Sequence, residues 1–253
     1  MAAHLASSSP AEAAEHLRAV FSGDHAWCGE KLRLSGELDG AVPVASFFRD
    51  GGFAAMLERF ADEKGAADRR AAASFWSLYY FSALAIPFVV ARRAGWTMPV
   101  AFGEMTMVLG EDGLPAAFGL PEAGGWGDPP DSMAELVRPL VQAHLAEVVA
   151  LLKEKGGIAP KLSWTNAAVY IDYAINATAG ADHPADDREW PSRPLFETKS
   201  LAEGEANPFL GCLRREAVDG AVHCRRKVCC LRYMLPGIPG CGELCALPEQ
   251  RHS

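Results

Sequence analysis

Residues 71–91, AAASFWSLYYFSALAIPFVVA, run for 21 positions without a formal charge between Arg69, Arg70 and Arg92, Arg93. A helix of this length is long enough to cross a bilayer, so its reading decides the fold. Ser74, Ser77, Ser82, Tyr79 and Tyr80 interrupt the run, Pro87 sits near one end, and arginines flank it on both sides. A spanning helix is marked by a one-sided basic bias and by more uniform apolarity. The stretch is therefore read as a helix buried in a soluble core, with peripheral membrane association left open.

Working outward, AEAAEHLRAVF (11–21) follows the capping signal SSSP and repeats Leu17, Val20 and Phe21 at helical spacing, with Gly23 and Asp24 as its stop. A second helix is predicted from about Val44 to Lys64, interrupted at Gly51 and Gly52, with Phe53, Met56, Leu57 and Phe60 on one face. Between Thr97 and Leu120, VAFGEMTMVL and LPAAFGL flank GEDG and read as a hairpin. Asp131 or Ser132 is expected to cap a helix carrying Leu136, Leu140, Leu145, Val148, Val149 and Leu152, which Pro139 kinks and GlyGly ends. Another apolar helix is predicted over Trp164–Ala179, and residues 180–194 read as an acidic, proline-rich connector. The expected fold class is α+β: a mainly helical body with a small β-hairpin or sheet, residues 1–195, and a cysteine-rich C-terminal segment, residues 196–253.

The chain has 253 residues, of which 49% are apolar and 22% charged, the usage of an ordinary globular protein. A net charge of −8 excludes a general basic field, so nucleic acid is not an expected partner. Charge is unevenly spread, with seven basic and four acidic residues from 210 to 253. Neither a dinucleotide-type GxGxxG nor a P-loop occurs.

Six of the seven cysteines lie in the last 42 residues: Cys212, Cys224, Cys229, Cys230, Cys241 and Cys245. The opening MAAHLASSSP has neither the basic nor the apolar part of a secretory signal, so reduced thiols in a cytoplasmic setting are expected. Ten residues separate Cys230 from Cys241, and the LPGIPG among them forces a turn able to fold the second pair, Cys241 and Cys245, onto the first, Cys229 and Cys230. Four soft thiolates select an iron-sulfur cluster, zinc or copper(I). Adjacent cysteines strain to share one tetrahedral ion, which favours a wider two-iron cluster. A closed four-thiolate zinc site and plain thiol or disulfide chemistry stay open. Cys224 is a substitute fourth ligand, although it, Cys212 and Cys28 are read first as packing residues. Arg225, Arg226, Lys227 and Arg232 either tune a net-negative site or form a solvated patch against the acidic body.

From Arg225 to Cys245 the order of basic residues, CCLRY, LPG and a final CG resembles the FhuF-type ferric-siderophore reductases, and FWSLYY (75–80) and LSWTNAA (162–168) resemble them weakly. The resemblance implies a [2Fe-2S] cluster on Cys229, Cys230, Cys241 and Cys245, although the spacing of the last two is one residue longer than the family's usual motif. It further implies one-electron reduction of a ferric siderophore in the cytoplasm, with a ferredoxin or a flavin-dependent reductase as external donor. Oxygen chelators hold ferric iron better than ferrous iron, so reduction is the release step, and no acid-base catalyst is demanded. The alternative function is a zinc-stapled module that binds a siderophore or a protein without redox chemistry.

Overall fold

The computed structural model describes residues 10–179, 190–218 and 221–251. Its axis is the helix Arg69–Arg93, capped by Asp68, whose side chain accepts the Arg70 N–H at 2.9 Å. From Ala71 to Ala91 every residue is buried except Tyr79 and Ser82. The apolar sides of the run are therefore spent on protein contacts, as the core reading expected. Trp76 stacks on Phe47 at 5.9 Å and meets Phe53 edge-on at 5.0 Å, which packs the short helices Val44–Arg49 and Gly52–Glu63 against it. Each such fully buried aromatic or aliphatic side chain contributes about 1.5–3 kcal/mol of transfer free energy.

The expected hairpin is present as Thr106–Leu109 and Pro115–Leu120, paired antiparallel. It sits inside a four-stranded sheet that sequence periodicity missed. Leu32–Leu34 adds in parallel, with Leu32 beside Phe118, and Val42–Pro43 adds on the other edge. These two additions are three and two residues long, too short to show an alternation. Gly119 lets the sheet close on the neighbouring turn, because a Cβ there would lie 2.2 Å from Thr106 Oγ1 and 2.8 Å from Ser35 Cα.

Ser132 caps Met133–Leu140 through a hydrogen bond from the Glu135 N–H. The kink expected at Pro139 is realised as a wide π turn over Val141–Leu145 before the helix resumes as Ala146–Gly156. The turn presents His144 to the core. Its Nδ1 donates to the Val100 carbonyl at 3.0 Å, leaving Nε2 to accept the Tyr80 hydroxyl at 2.5 Å.

The helix Pro160–Ala177 packs along the central helix. It begins four residues before its predicted start, because Pro160 is suited to the first helical turn. Of the predicted connector, residues 180–189 lie outside the described residues, and Arg193–Glu197 forms a short helix. The chain then makes a small hairpin, Ser200–Ala202 with Glu205–Ala206. A longer ladder pairs Leu213–Val218 with Ala221–Arg226, and one-turn helices carry the cysteines beyond it.

Burial holds His144 well below its ordinary value, at about 4 against 6.5. The unfolded chain takes up this proton first, so the stability held at neutral pH is lost as pH falls through 6.5 toward 4. Urea titrations across this range are expected to lose up to about 3 kcal/mol through this group, and His144→Gln to flatten that part of the profile.

Candidate metal centre

Adjacent residues on a strand point to opposite faces, and at the end of Ala221–Arg226 both faces are covered. Arg225 and Arg226 are each only 2% exposed, which corrects the reading of these two arginines as a solvated patch. Lys227 is exposed and Arg232 half-buried, its guanidinium over the Phe75 ring at 5.2 Å.

Arg225 braces the spacer between the last two cysteines. Its Nε lies 2.6 Å from Glu216 Oε2, and its Nη1 donates to Glu243 Oε2 at 2.9 Å and to the Glu243 carbonyl at 2.8 Å. Glu243 belongs to the one-turn helix Gly242–Leu244, which begins at Cys241 and delivers Cys245. His223 is half-buried with Nδ1 3.4 Å from the same carboxylate.

Arg226 points the other way, into the seam between the two long helices. Its Nη1 donates to Asn166 Oδ1 at 2.6 Å, and Asn166 Nδ2 donates to Ser77 Oγ at 2.9 Å, Ser74 Oγ at 3.1 Å and the Ser74 carbonyl at 3.2 Å. Ser74 Oγ completes the relay by donating to the Cys230 carbonyl at 2.7 Å. Among the described residues no carboxylate forms an ion pair with Arg226, although its neighbour Arg225 has two. Its Nε, also buried, has no hydrogen-bond acceptor. A buried cation without an anion is costly by several kcal/mol, and the nearby groups able to supply negative charge are sulfurs. Arg226 favours the thiolate forms of Cys229, Cys230 and Cys241.

Among the four candidate cysteines, Cys230 and Cys245 are buried and Cys229 and Cys241 half-buried. The connector does fold back, with Leu235 buried beneath it and Gly237 at φ 71°. It brings Cys241 Sγ to 3.8 Å from Cys230 Sγ. That separation matches the edge of a tetrahedron of metal–thiolate bonds of about 2.3 Å, about 3.8 Å. The sulfur beside Cys230 is thus from Cys241 and not from its neighbour Cys229, as the strain argument requires. The pair shares a proton: the Cys241 thiol bonds to Cys230, and with Arg226 nearby this holds Cys230 well below a normal thiol, while the shared bond and burial hold Cys241 above it.

Cys229 Sγ accepts the Leu231 N–H at 3.3 Å, and Leu231 is the one non-glycine among the described residues with a left-handed backbone, at φ 61°. Cys229 and Cys245 are electrostatic neighbours, but they are not gathered onto one ion with the other pair. Among the described residues no three His, Cys, Asp or Glu side chains are arranged around a single metal position. The donor set therefore fits a sulfur-ligated metal in part: one pair at ligand spacing, a buried cation without a carboxylate, and an N–H aimed at a third sulfur.

Cys224 is engaged elsewhere. Its Sγ lies 3.5 Å from Asp172 Oδ2, and burial with that carboxylate pushes the thiol up to about 12. Cys28 and Cys212 are fully buried, in keeping with packing roles. Sequence reasoning missed Ser74, Ser77 and Asn166; the weak similarity of FWSLYY and LSWTNAA was the available signal, since Ser77 and Asn166 lie within those stretches.

Residues 74–221 match the family model described as "Ferric iron reductase FhuF-like transporter". The match begins at the serine that holds the Cys230 carbonyl and ends before the four cysteines. The chain is also similar to the "Ferric siderophore reductase" of Escherichia coli (strain K12), with 28% identity over 173 residues, 67% of this chain and 63% of that protein. The match thus spans somewhat less than two thirds of the relative's length.

Removing Asn166 leaves the Arg226 guanidinium and two serine hydroxyls without their shared partner. Asn166→Ala is expected to lower stability by at least about 3 kcal/mol, and Ser74→Ala, which strips one hydrogen bond from the Cys230 carbonyl, by about 1–2 kcal/mol. Urea unfolding of the two variants checks the ranking.

Proposed function

The chain belongs to the FhuF-like ferric iron reductase family, and from that premise we propose that it is a cytoplasmic ferric-siderophore reductase whose Cys229, Cys230, Cys241 and Cys245 hold a [2Fe-2S] cluster. The observation that carries this reading is Arg226, a buried cation with no carboxylate partner among the described residues, within electrostatic reach of three of the four sulfurs. When bound, such a cluster supplies a one-electron carrier.

The protein's own residues set the conditions. Cys230 and Cys241 stand at the spacing of two thiolates on one tetrahedral metal, and Cys229 and Cys245, each within electrostatic reach of one of these two, would supply the remaining two ligands. The Leu231 N–H lies against Cys229 Sγ and Arg226 acts on the sulfurs through its charge, so that both stabilise added negative charge and favour the reduced state. Ser74 and Arg225 fix the two ends of the loop from outside, through the Cys230 carbonyl and the Glu243 turn. The electron comes from an external donor, a ferredoxin or a flavin-dependent reductase. In this reading residues 1–195 form the body that carries the chelate and residues 196–253 the metal-holding segment.

Anaerobically purified protein is expected to be coloured, with iron and acid-labile sulfide in equal amounts and visible absorption that bleaches with dithionite. Cys245→Ala is expected to lose most of the colour and Cys224→Ala to keep it, and Arg226→Met to lower the midpoint potential. Colourless protein with stoichiometric zinc and no redox change would instead establish the non-redox binding module.

A further inference from the structure

A groove of about 690 Å³ runs along the outer side of the helix Pro160–Ala177, within the range of small-molecule sites. We propose that this groove seats the ferric chelate, with Trp27 and Tyr173 as its walls and the Arg215–Asp172 pair at its polar side, an assignment that rests on the reductase reading above. Three observations converge on it.

The first is position. Leu244, one of the three residues between Cys241 and Cys245, lines the groove, and so does Tyr170, which lies within electrostatic reach of Cys230 and Arg226. A ligand seated there rests against the loop that bears the sulfurs. The second is the lining, which is mainly apolar, yet Trp27 and Tyr173 are 37% and 54% exposed. Large aromatics held open at one groove offer flat, rigid contact at low entropic cost.

The third observation is charge. Arg215 Nη2 lies 3.2 Å from both oxygens of Asp172, a carboxylate that also accepts the Trp190 indole N–H at 2.8 Å and the Ser192 hydroxyl. The guanidinium is neutralised within the groove wall, so the seat carries no net charge and suits a chelate without one.

Gallium(III) chelates test the assignment with the full-length protein, because gallium does not accept the electron and binding is read apart from reduction. In calorimetric titrations, a neutral gallium tris(hydroxamate) is expected to bind, and a gallium tris(catecholate) of charge 3− to bind at least about tenfold more weakly. Trp27→Ala and Tyr173→Ala are each expected to weaken the neutral chelate about tenfold, and Tyr233→Ala, an aromatic exposed outside the groove, to leave it unchanged. Circular dichroism confirms that the variants fold. Absence of binding by the unaltered protein, or equal binding by all three variants, would overturn the seat. Equal affinity for the two chelates would overturn the charge argument. Binding that fits the expectation in a protein that never bleaches with dithionite would retain the groove and remove the reductase reading, and a bleaching protein insensitive to Trp27 and Tyr173 would do the reverse.

Discussion

The hydrogen bond from Arg226 to Asn166 joins the two halves of this molecule. It places a guanidinium in the seam between its two longest helices, where desolvation removes most of what water would contribute. Asn166 passes the interaction to Ser74 and Ser77 on the central helix, and Ser74 returns it to the backbone of Cys230. The loop that carries the sulfurs is thus held from within the core and not merely draped on its surface. The arrangement also leaves a positive charge within electrostatic reach of the sulfurs, with no carboxylate among the described residues paired to it. In the proposed reading a net-negative metal site would answer that charge, which ties the cation to the cysteines.

The opposite face of the same strand serves a different end. Arg225 is satisfied by Glu216 and Glu243, so its charge is internal to the tail and fixes the turn between Cys241 and Cys245. Cys224 and Arg215 pair across the ladder and converge on Asp172 of the helix Pro160–Ala177. One hairpin therefore supplies the buried cation, the brace of the cysteine turn and the polar side of the adjoining groove. The helix it packs on contributes Asn166, Tyr170 and Asp172 to the same assembly.

Much of the body was legible in the sequence because it follows simple periodicities. The charge-free run at 71–91 was readable as a core helix from its serines and tyrosines, and Ser74 proves to bind the tail directly while Ser77 supports Asn166. The hairpin at Thr106–Leu120, the break at Gly51 and Gly52 and the cysteine spacing were readable for similar reasons. The sheet's outer strands were too short to register. The ladder at Leu213–Arg226 was hidden because its arginines look like surface residues, and an alternation of apolar with polar side chains cannot reveal a strand covered on both faces. Nor can spacing tell that Cys241 meets Cys230 in preference to Cys229, since that depends on the left-handed turn at Leu231 and the depth at which Leu235 is buried.

X-ray absorption at the iron edge of anaerobically prepared protein tests the central claim most directly, because it counts the atoms around the metal. The expected result is iron ligated by sulfur alone, with a single iron neighbour at close range and no nitrogen or oxygen shell. Iron bound through oxygen or nitrogen, or a preparation whose only metal is mononuclear zinc, would contradict it, and the buried Arg226 would then require a different anion.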